Sequence, residues 1–172
     1  MTKIKFLLKF RNKNHISNIV KEALDTFEME NKIEILTIKI DKRLKDDINV
    51  DYSKLKNHRI IIDFGSKRSI TKKSIFHELG HVWDAIKNNL DLSKVKLTKK
   101  QQIIGGFVVN LSLDGRLEKM GFPHYSKTQR LKDFYFINKK FNLGLKSEVF
   151  LKLWGLKLTK EKTMNLIEQL EN

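Results

Sequence analysis

Two histidines four residues apart, His77 and His81, enclose a glutamate, Glu78, in the run HELGH. On an α-helix, side chains at positions i and i+4 lie one above the other, so both imidazoles can reach one tetrahedral zinc ion. The glutamate between them then points beside the metal, toward a bound water molecule. This spacing predicts a Zn²⁺ site with Glu78 as a catalytic base, and two ordinary surface histidines on a helix are the alternative.

The residues around the motif favour a helix that is covered on both faces. At 100° per residue, four apolar residues fall within about 60° of one another: Ile75, Leu79, Val82 and Ile86. The two histidines and Asp84 fall on the opposite side of the same helix. Between Ser74 and Trp83, Glu78 is the only charged residue. We therefore expect a helix of about residues 69–89 that lies between a sheet and a second helical layer.

A second helix, of about residues 99–120, offers candidates for the third protein ligand that a catalytic zinc needs. It is bracketed by the capping pair Thr98 and Gln101 and by the stop signal Gly121 with Pro123. One face of it combines apolar and polar residues: Ile103, Phe107, Asn110, Asp114, Leu117 and Glu118. Buried carboxylates need partners, and zinc with its histidines would supply them. Gly105 and Gly106 would allow a close approach to the motif helix.

An HExxH helix followed by a helix with two carboxylates one turn apart resembles the gluzincin clan of zinc metallopeptidases, particularly the small single-domain minigluzincins. The resemblance covers about residues 58–121. In gluzincins the second helix usually offers a Glu ligand and, four residues on, an Asp that orients a histidine. Here Asp114 and Glu118 have that spacing with the acid types exchanged. The resemblance favours Asp114 as the third ligand, with Glu118 and Asp84 as alternatives.

The resemblance also implies where substrate would bind and what would stabilise the transition state. Such families bind substrate as an added antiparallel strand, and Ile33–Ile40 or His58–Phe64 could be that edge. Tyr125, His124 and Arg116 are conceivable oxyanion stabilisers. His124 could also imitate the third histidine of SprT-type proteases, although its 43-residue separation from His81 argues against this.

The remaining positions of possible interest have plainer interpretations. Asp84 is expected to hydrogen-bond His81 from outside the metal site or to be a surface charge. His15 and His58 lie in polar surroundings and are expected to be surface residues. A carboxylate of Glu171 or of the chain terminus could reach an open zinc position and make the enzyme latent, but an ordinary amphipathic last helix is the alternative.

The composition restricts the class of protein. The 172 residues carry 35 Lys and Arg against 20 Asp and Glu, a formal net charge of +15, and no cysteine. The lack of cysteine excludes disulfides, Fe–S clusters, thiolate zinc sites and a cysteine nucleophile. No stretch approaches the roughly 20 apolar residues that span a bilayer, so we expect a soluble, cytoplasmic protein. The basic charge suggests nucleic acid as a possible partner, or only a lysine-rich solvated surface.

The order of predicted elements is α+β within a single domain of residues 1–172. The sheet-containing part, 1–65, comprises strands near 3–10, Ile33–Ile40 and 60–62 and a helix of about 15–29 capped by Asn14, with a polar loop over 43–57. The C-terminal half is helical, with three further helices near 127–141, 146–154 and 159–171. Together with this order, the resemblance to gluzincins implies a compact zincin-like fold.

The sequence thus predicts a zinc-dependent peptidase that hydrolyses peptide bonds with a zinc-activated water and Glu78 as general base. Two alternatives stay open. One is a nucleic-acid-associated protease or a regulator that cleaves a DNA-bound partner. The other is a catalytically silent zinc-binding fold, against which the intact Glu78 speaks.

Overall fold

The computed structural model describes residues 2–7, 12–45, 47–93 and 95–171. It is an α+β structure, as the sequence predicts, and its sheet has four strands in mixed orientation. The chain divides into two compact units, Met1–Trp83 and Asp84–Asn172, and the prediction of a single domain stays a prediction. Among the described residues, no helix is both long and apolar enough to cross a membrane.

The first unit contains the whole sheet. Its elements follow in the order β1 (Lys3–Phe6), α1 (Lys13–Thr26), β2 (Ile35–Ile40), β3 (Ile48–Asp51) and β4 (Arg59–Phe64). The strands lie side by side in the order β1-β2-β4-β3. β1 and β4 each pair with β2 in parallel, whereas β3 pairs with β4 in antiparallel orientation.

This topology corrects two predictions about the sheet. The polar loop expected over 43–57 contains β3, a short strand whose only apolar residues are Ile48 and Val50. A strand of four residues with polar neighbours gives too weak an alternating pattern to be distinguished from a loop. The predicted substrate-binding edge is also wrong, because β2 and β4 are interior strands with a partner on each side. The edges of the sheet are β1 and β3.

Burial in the first unit follows the alternation of side chains along the strands. Leu36 and Ile38 of β2 face Ile60 and Ile62 of β4 in register, and all four are fully buried. Helix α1 contributes a buried stripe at helical spacing, which consists of Ile16, Ile19, Val20, Ala23 and Leu24. The helix is therefore amphipathic, as its sequence predicts.

The predicted N-terminal boundaries differ from the observed ones. Helix α1 begins at Lys13, so Asn14 lies inside the helix, and Asn12 occupies the capping position without a side-chain hydrogen bond. β1 ends at Phe6, whereas the prediction extended to residue 10. Residues 8–11 lie outside the described part of the chain.

The remaining helices agree closely with the predictions. They are α2 (Lys72–Lys87), α3 (Lys99–Lys119), α4 (Lys127–Phe141), α5 (Ser147–Leu153) and α6 (Lys160–Glu171). The predicted capping box of α3 is present, with Thr98 and Gln101 bonded reciprocally. Gly121 has φ of +75°, the left-handed backbone that ends many helices.

The second unit has its own apolar core, built by α3 with α4, α5 and α6. A Cβ at Gly105 would lie 2.9 Å from Cδ1 of Ile167 in α6, and nothing lies within 4 Å of one at Gly106. Gly105 was predicted to allow a close approach to the motif helix. The neighbour that its missing side chain accommodates is α6.

Candidate metal centre

The helix that carries the motif begins with a reciprocal pair of hydrogen bonds. The backbone N–H of Ser74 donates to the hydroxyl of Thr71 over 3.1 Å, and the backbone N–H of Thr71 donates to the hydroxyl of Ser74 over 2.9 Å. These bonds satisfy donors of the first turn that have no partner inside a helix. The start of α2 is therefore fixed one turn before His77.

The two histidines of α2 approach each other through the nitrogens that would bind a metal. Their Nε2 atoms are 3.0 Å apart, and the ring planes are nearly perpendicular, at 86°. Two nitrogens bound to one tetrahedral zinc at 2.0–2.1 Å are about 3.3–3.4 Å apart. His77 is buried, at 3% exposed, whereas His81 and Glu78 are half-buried. The pair thus fits two ligand positions of one ion with little movement.

The described residues contain no assembled group of three or more His, Asp or Glu side chains that could hold a metal ion. The chemistry of the histidine pair fits zinc, since neutral imidazole is one of its common ligands. A bound Zn²⁺ would therefore need a carboxylate as its third protein ligand. The candidate carboxylates differ in their burial and in their hydrogen-bond partners.

Asp84, the first alternative ligand, is not a surface charge. Its side chain is 2% exposed and forms a two-pronged ion pair with Arg116, whose Nη1 lies 2.8 Å from Oδ1 and whose Nη2 contacts Oδ2. Asn88 also donates to Oδ1 over 2.8 Å. Both carboxylate oxygens are thus engaged by donors near the end of α2 and on α3. The prediction of a surface charge at Asp84 is wrong, because sequence spacing along α2 carries no information about an arginine 32 residues away.

Asp114, the favoured third ligand, is fully buried on α3. Its Oδ2 accepts a hydrogen bond of 2.6 Å from Nε of Arg130, and its Oδ1 accepts one of 3.1 Å from the backbone N–H of Tyr125. An ionised carboxylate offers about four lone-pair sites, so these bonds are compatible with metal coordination. They hold the carboxylate in one orientation.

Glu118, one turn further along α3, meets a different set of donors. Trp154 Nε1 and Lys127 Nζ lie 2.8 Å and 3.0 Å from its Oε2. The hydrogen bond from Trp154, and then that from Lys127, lower the pKa of Glu118 below its ordinary value. Its side chain is 37% exposed. The carboxylate is therefore anchored at a partly solvated position by residues that follow α3 in the chain.

The structure supplies these carboxylates with partners that the sequence analysis missed. Zinc and its histidines were expected to compensate both acids, but Arg130, Lys127 and Trp154 donate to them. These three donors lie in α4 and at the end of α5, beyond turns whose direction no spacing rule predicts. No signal in the sequence would have identified them.

The predicted oxyanion stabilisers are placed as follows. The Arg116 guanidinium is engaged by Asp84. The Nδ1 atom of His124 lies 2.8 Å from the carbonyl oxygen of Phe122. The ring of Tyr125 carries the Arg130 guanidinium 4.5 Å above its centre. All three side chains are half-buried, and these contacts do not favour one of them as the oxyanion stabiliser.

The two remaining histidines and the chain end have clear positions. His15 and His58 are exposed, as predicted. In α6, the carboxylate of Glu171 accepts a hydrogen bond of 2.7 Å from Nε2 of Gln101, and its backbone carbonyl accepts one of 2.9 Å from Nζ of Lys100. The carboxylate predicted as a possible zinc plug is thus held at the first turn of α3.

Searches against protein-family models, curated proteins and solved structures find no match to this chain. The resemblance to gluzincins therefore stays a prediction, carried by the HExxH helix and the acidic helix that follows it.

Proposed function

We propose that the protein is a zinc-dependent peptidase. The observation that carries the proposal is the histidine pair of α2, whose Nε2 atoms lie 3.0 Å apart on a helix that also carries Glu78 next to His77. A structural zinc site would need the two histidines but no carboxylate between them. A hydrolytic site needs that carboxylate as a base.

The roles of the residues follow from their chemistry. His77 and His81 would hold the metal through their Nε2 atoms. A bound zinc would supply a water of lowered pKa and a Lewis acid for the peptide carbonyl. The carboxylate of Glu78 accepts the proton of the attacking water and passes it to the nitrogen of the leaving amine. Because Glu78 is half-buried, its carboxylate can both meet substrate and remain accessible to water.

Asp114 remains the proposed third ligand. Asp84 gives both oxygens to Arg116 and Asn88, and Glu118 is held by Trp154 and Lys127. Asp114 is fully buried, and its ion pair with Arg130 holds the carboxylate in place. A ligand whose other contacts fix its orientation also binds metal more tightly.

The first test measures zinc in the purified full chain by elemental analysis. We expect about one zinc per chain in the wild type, and loss of stoichiometric zinc in His77→Ala and in His81→Ala. The exposed histidines provide the matched control, since His15→Ala and His58→Ala should retain the metal. Full zinc in both motif variants would contradict the site.

The second test separates metal binding from chemistry. Glu78→Gln should keep its zinc and lose hydrolysis of a peptide library, because a neutral amide cannot accept the water proton. Equal hydrolysis by this variant would exclude Glu78 as the base. If the zinc-loaded wild type cleaves no peptide or protein, the chain is a catalytically silent zinc fold.

The third test decides between the two carboxylates of α3. Asp114→Asn should weaken zinc binding by at least about tenfold, whereas Glu118→Gln should leave it unchanged. Circular dichroism of both variants controls for folding, because Asp114 also compensates Arg130. The reverse order of the two affinities would assign the ligand to Glu118.

A further inference from the structure

Helix α4 presents an outward face on which aromatic and basic residues alternate. At 100° per residue, five residues of the stretch 132–140 fall within an arc of about 140°: Lys132, Tyr135, Phe136, Lys139 and Lys140. We refer to these five residues as the aromatic–lysine face. It contains three cations, two aromatic rings, no aliphatic side chain and no acid.

Both aromatic rings of this face lie largely in solvent. Phe136 is 65% and Tyr135 is 54% exposed. Every other aromatic residue in the described part of the chain is buried or half-buried. Two consecutive exposed rings need an explanation, because removing an aromatic side chain from water contributes considerable free energy. They are available to a partner that the folded chain does not provide.

The lysines of the face are uncompensated. Within the described residues, Lys132, Lys139 and Lys140 form no ion pair with an acid of the chain. The nearest acid in sequence, Asp133, pairs with Arg130 over 3.2 Å. Lys140 instead lies 5.5 Å from the ring centre of Phe136. The face therefore combines positive potential with accessible π-surfaces.

The opposite side of α4 holds the face in a fixed position. Phe134 is 1% exposed and contacts Phe107 and Phe150, with a ring-centre distance of 5.8 Å in each case. The start of the helix is fixed by a capping box between Ser126 and Gln129. A partner would thus meet a preformed surface on a regular helix, without the entropy cost of ordering a loop.

We propose that the aromatic–lysine face binds single-stranded nucleic acid. Unpaired bases expose flat π-faces that stack on aromatic side chains, while lysines contact the phosphates between them. In a duplex the bases already stack on each other and offer no such faces. Two rings with no aliphatic side chain beside them give the face little apolar area for insertion into a bilayer, and membrane binding scales with that area. The proposal is independent of the zinc site.

The experiment measures fluorescence anisotropy of a labelled oligothymidine of about 20 nucleotides with the full-length chain. We expect binding that is tighter than to a duplex of equal length and that weakens as salt rises. Oligouridine in a parallel titration shows whether DNA and RNA bind alike, as stacking without base readout predicts. Binding of the duplex at equal or higher affinity would overturn the proposal.

The decisive variant replaces the rings but keeps their apolar character. Tyr135→Leu with Phe136→Leu retains a good helix former at both positions and should weaken oligothymidine binding about five- to 100-fold. Circular dichroism confirms that the helix persists. Unchanged affinity for the oligonucleotide would overturn stacking as the mode of binding.

A pair of charge variants tests the binding of phosphates by the lysines. Lys139→Gln with Lys140→Gln should reduce the slope of log K against log salt by about 0.7 for each phosphate that is no longer neutralised. The matched control, Lys21→Gln with Lys162→Gln, removes two exposed lysines of α1 and α6 and should change the slope little. Equal slopes for the two double variants would show that only net charge matters and would overturn the assignment to α4.

The same protein variants also test two other possible occupants of the face, a lipid surface and a second copy of the chain. Co-sedimentation measures binding of the protein to vesicles of phosphatidylserine and phosphatidylcholine. If the protein binds these vesicles more tightly than the oligonucleotide, the face is assigned to a lipid surface. Concentration-dependent dimerisation that the double leucine variant abolishes would assign it to a second copy of the chain. Either result overturns the nucleic-acid proposal.

Discussion

Two arginines of the second unit each meet a carboxylate that solvent does not reach. Arg116 binds Asp84, and Arg130 binds Asp114, with all four side chains at most 12% exposed. Burying a charge is expensive unless a partner of opposite sign and further hydrogen bonds compensate it. Each pair therefore depends on both of its members, and the loss of either one leaves a charge without its compensation.

The Asp84 pair makes the first prediction about stability. Asp84→Ala should lower the free energy of unfolding by about 3–5 kcal/mol, because Arg116 would stay in a site with little access to water. Urea denaturation followed by circular dichroism measures the change. The exposed pair of Glu22 with Lys72 is the control, and Glu22→Ala should cost no more than about 1 kcal/mol. A similar small cost for Asp84→Ala would contradict the role of the pair.

Glu118 makes stability depend on pH. Its pKa is below the ordinary value of 4.5 because the folded protein donates hydrogen bonds to its charged form. The unfolded chain then takes up a proton more readily than the folded one as the pH falls below about 4.5. The stabilisation from Glu118 is thus present above that pH and is lost in acid.

The comparison with Glu118→Gln isolates this contribution. Between about pH 5 and pH 3, the free energy of unfolding should fall more steeply for the wild type than for the variant. The amide oxygen of glutamine can still accept from Trp154, so the variant keeps that bond at every pH. Parallel pH profiles for the two proteins would show that Glu118 does not contribute.

At the residue level, sequence spacing predicted a contact between side chains of one helix but missed contacts between side chains of two packed helices. The approach of His77 and His81 follows from four-residue spacing alone. The donors around Asp114 depend on how α4 packs on α3, which is a property of the folded core. Hence the histidine pair was predictable, whereas Arg130 was not.

At the scale of elements, two glycines of α3 differ in how closely other parts of the chain pack against them. A Cβ at Gly115 would lie 2.1 Å from the backbone nitrogen of Gly155, so the turn after α5 touches the backbone of α3 itself. The same close approach allows the backbone N–H of Gly155 to donate to the carbonyl oxygen of Leu111 over 3.2 Å. Gly106, nine residues earlier, borders open space.

Alanine at these two positions should therefore have effects of opposite sign. Gly115→Ala should lower the free energy of unfolding by about 1–3 kcal/mol or more, because backbone atoms must move apart. Gly106→Ala should raise it by about 0.5–1 kcal/mol, since alanine is the better helix former and meets no neighbour. Thermal or urea unfolding of the two variants checks both signs, and stabilisation by Gly115→Ala would contradict the close packing.

Element boundaries were predictable where a local chemical signal marks them. Thr98 with Gln101 marks the start of α3, and Gly121 marks its end, so both limits agree with the structure within a residue. Strand β3 carries no such signal, because an edge strand needs few apolar residues and only one partner. Its existence depends on β4, which pairs with it along its whole length.

At the scale of the whole molecule, the positive charge is shared by both units. Residues 1–83 carry 18 Lys and Arg against 11 Asp and Glu, and residues 84–172 carry 17 against 9. Overall charge therefore does not indicate where a polyanion would bind. The aromatic–lysine face of α4 stands out through its exposed rings, which composition alone does not reveal.

The strand order has a consequence for synthesis on the ribosome. β4 is the last strand to be translated, yet it lies between β2 and β3. Residue 64 follows residue 40 by 24 positions, so at about 5–20 residues per second β2 waits roughly 1–5 s for its second neighbour. During that interval the nascent chain exposes the unpaired backbone N–H and C=O groups at this edge of β2 to other chains. Early protection of this edge by a chaperone would matter more than protection of the helices made later.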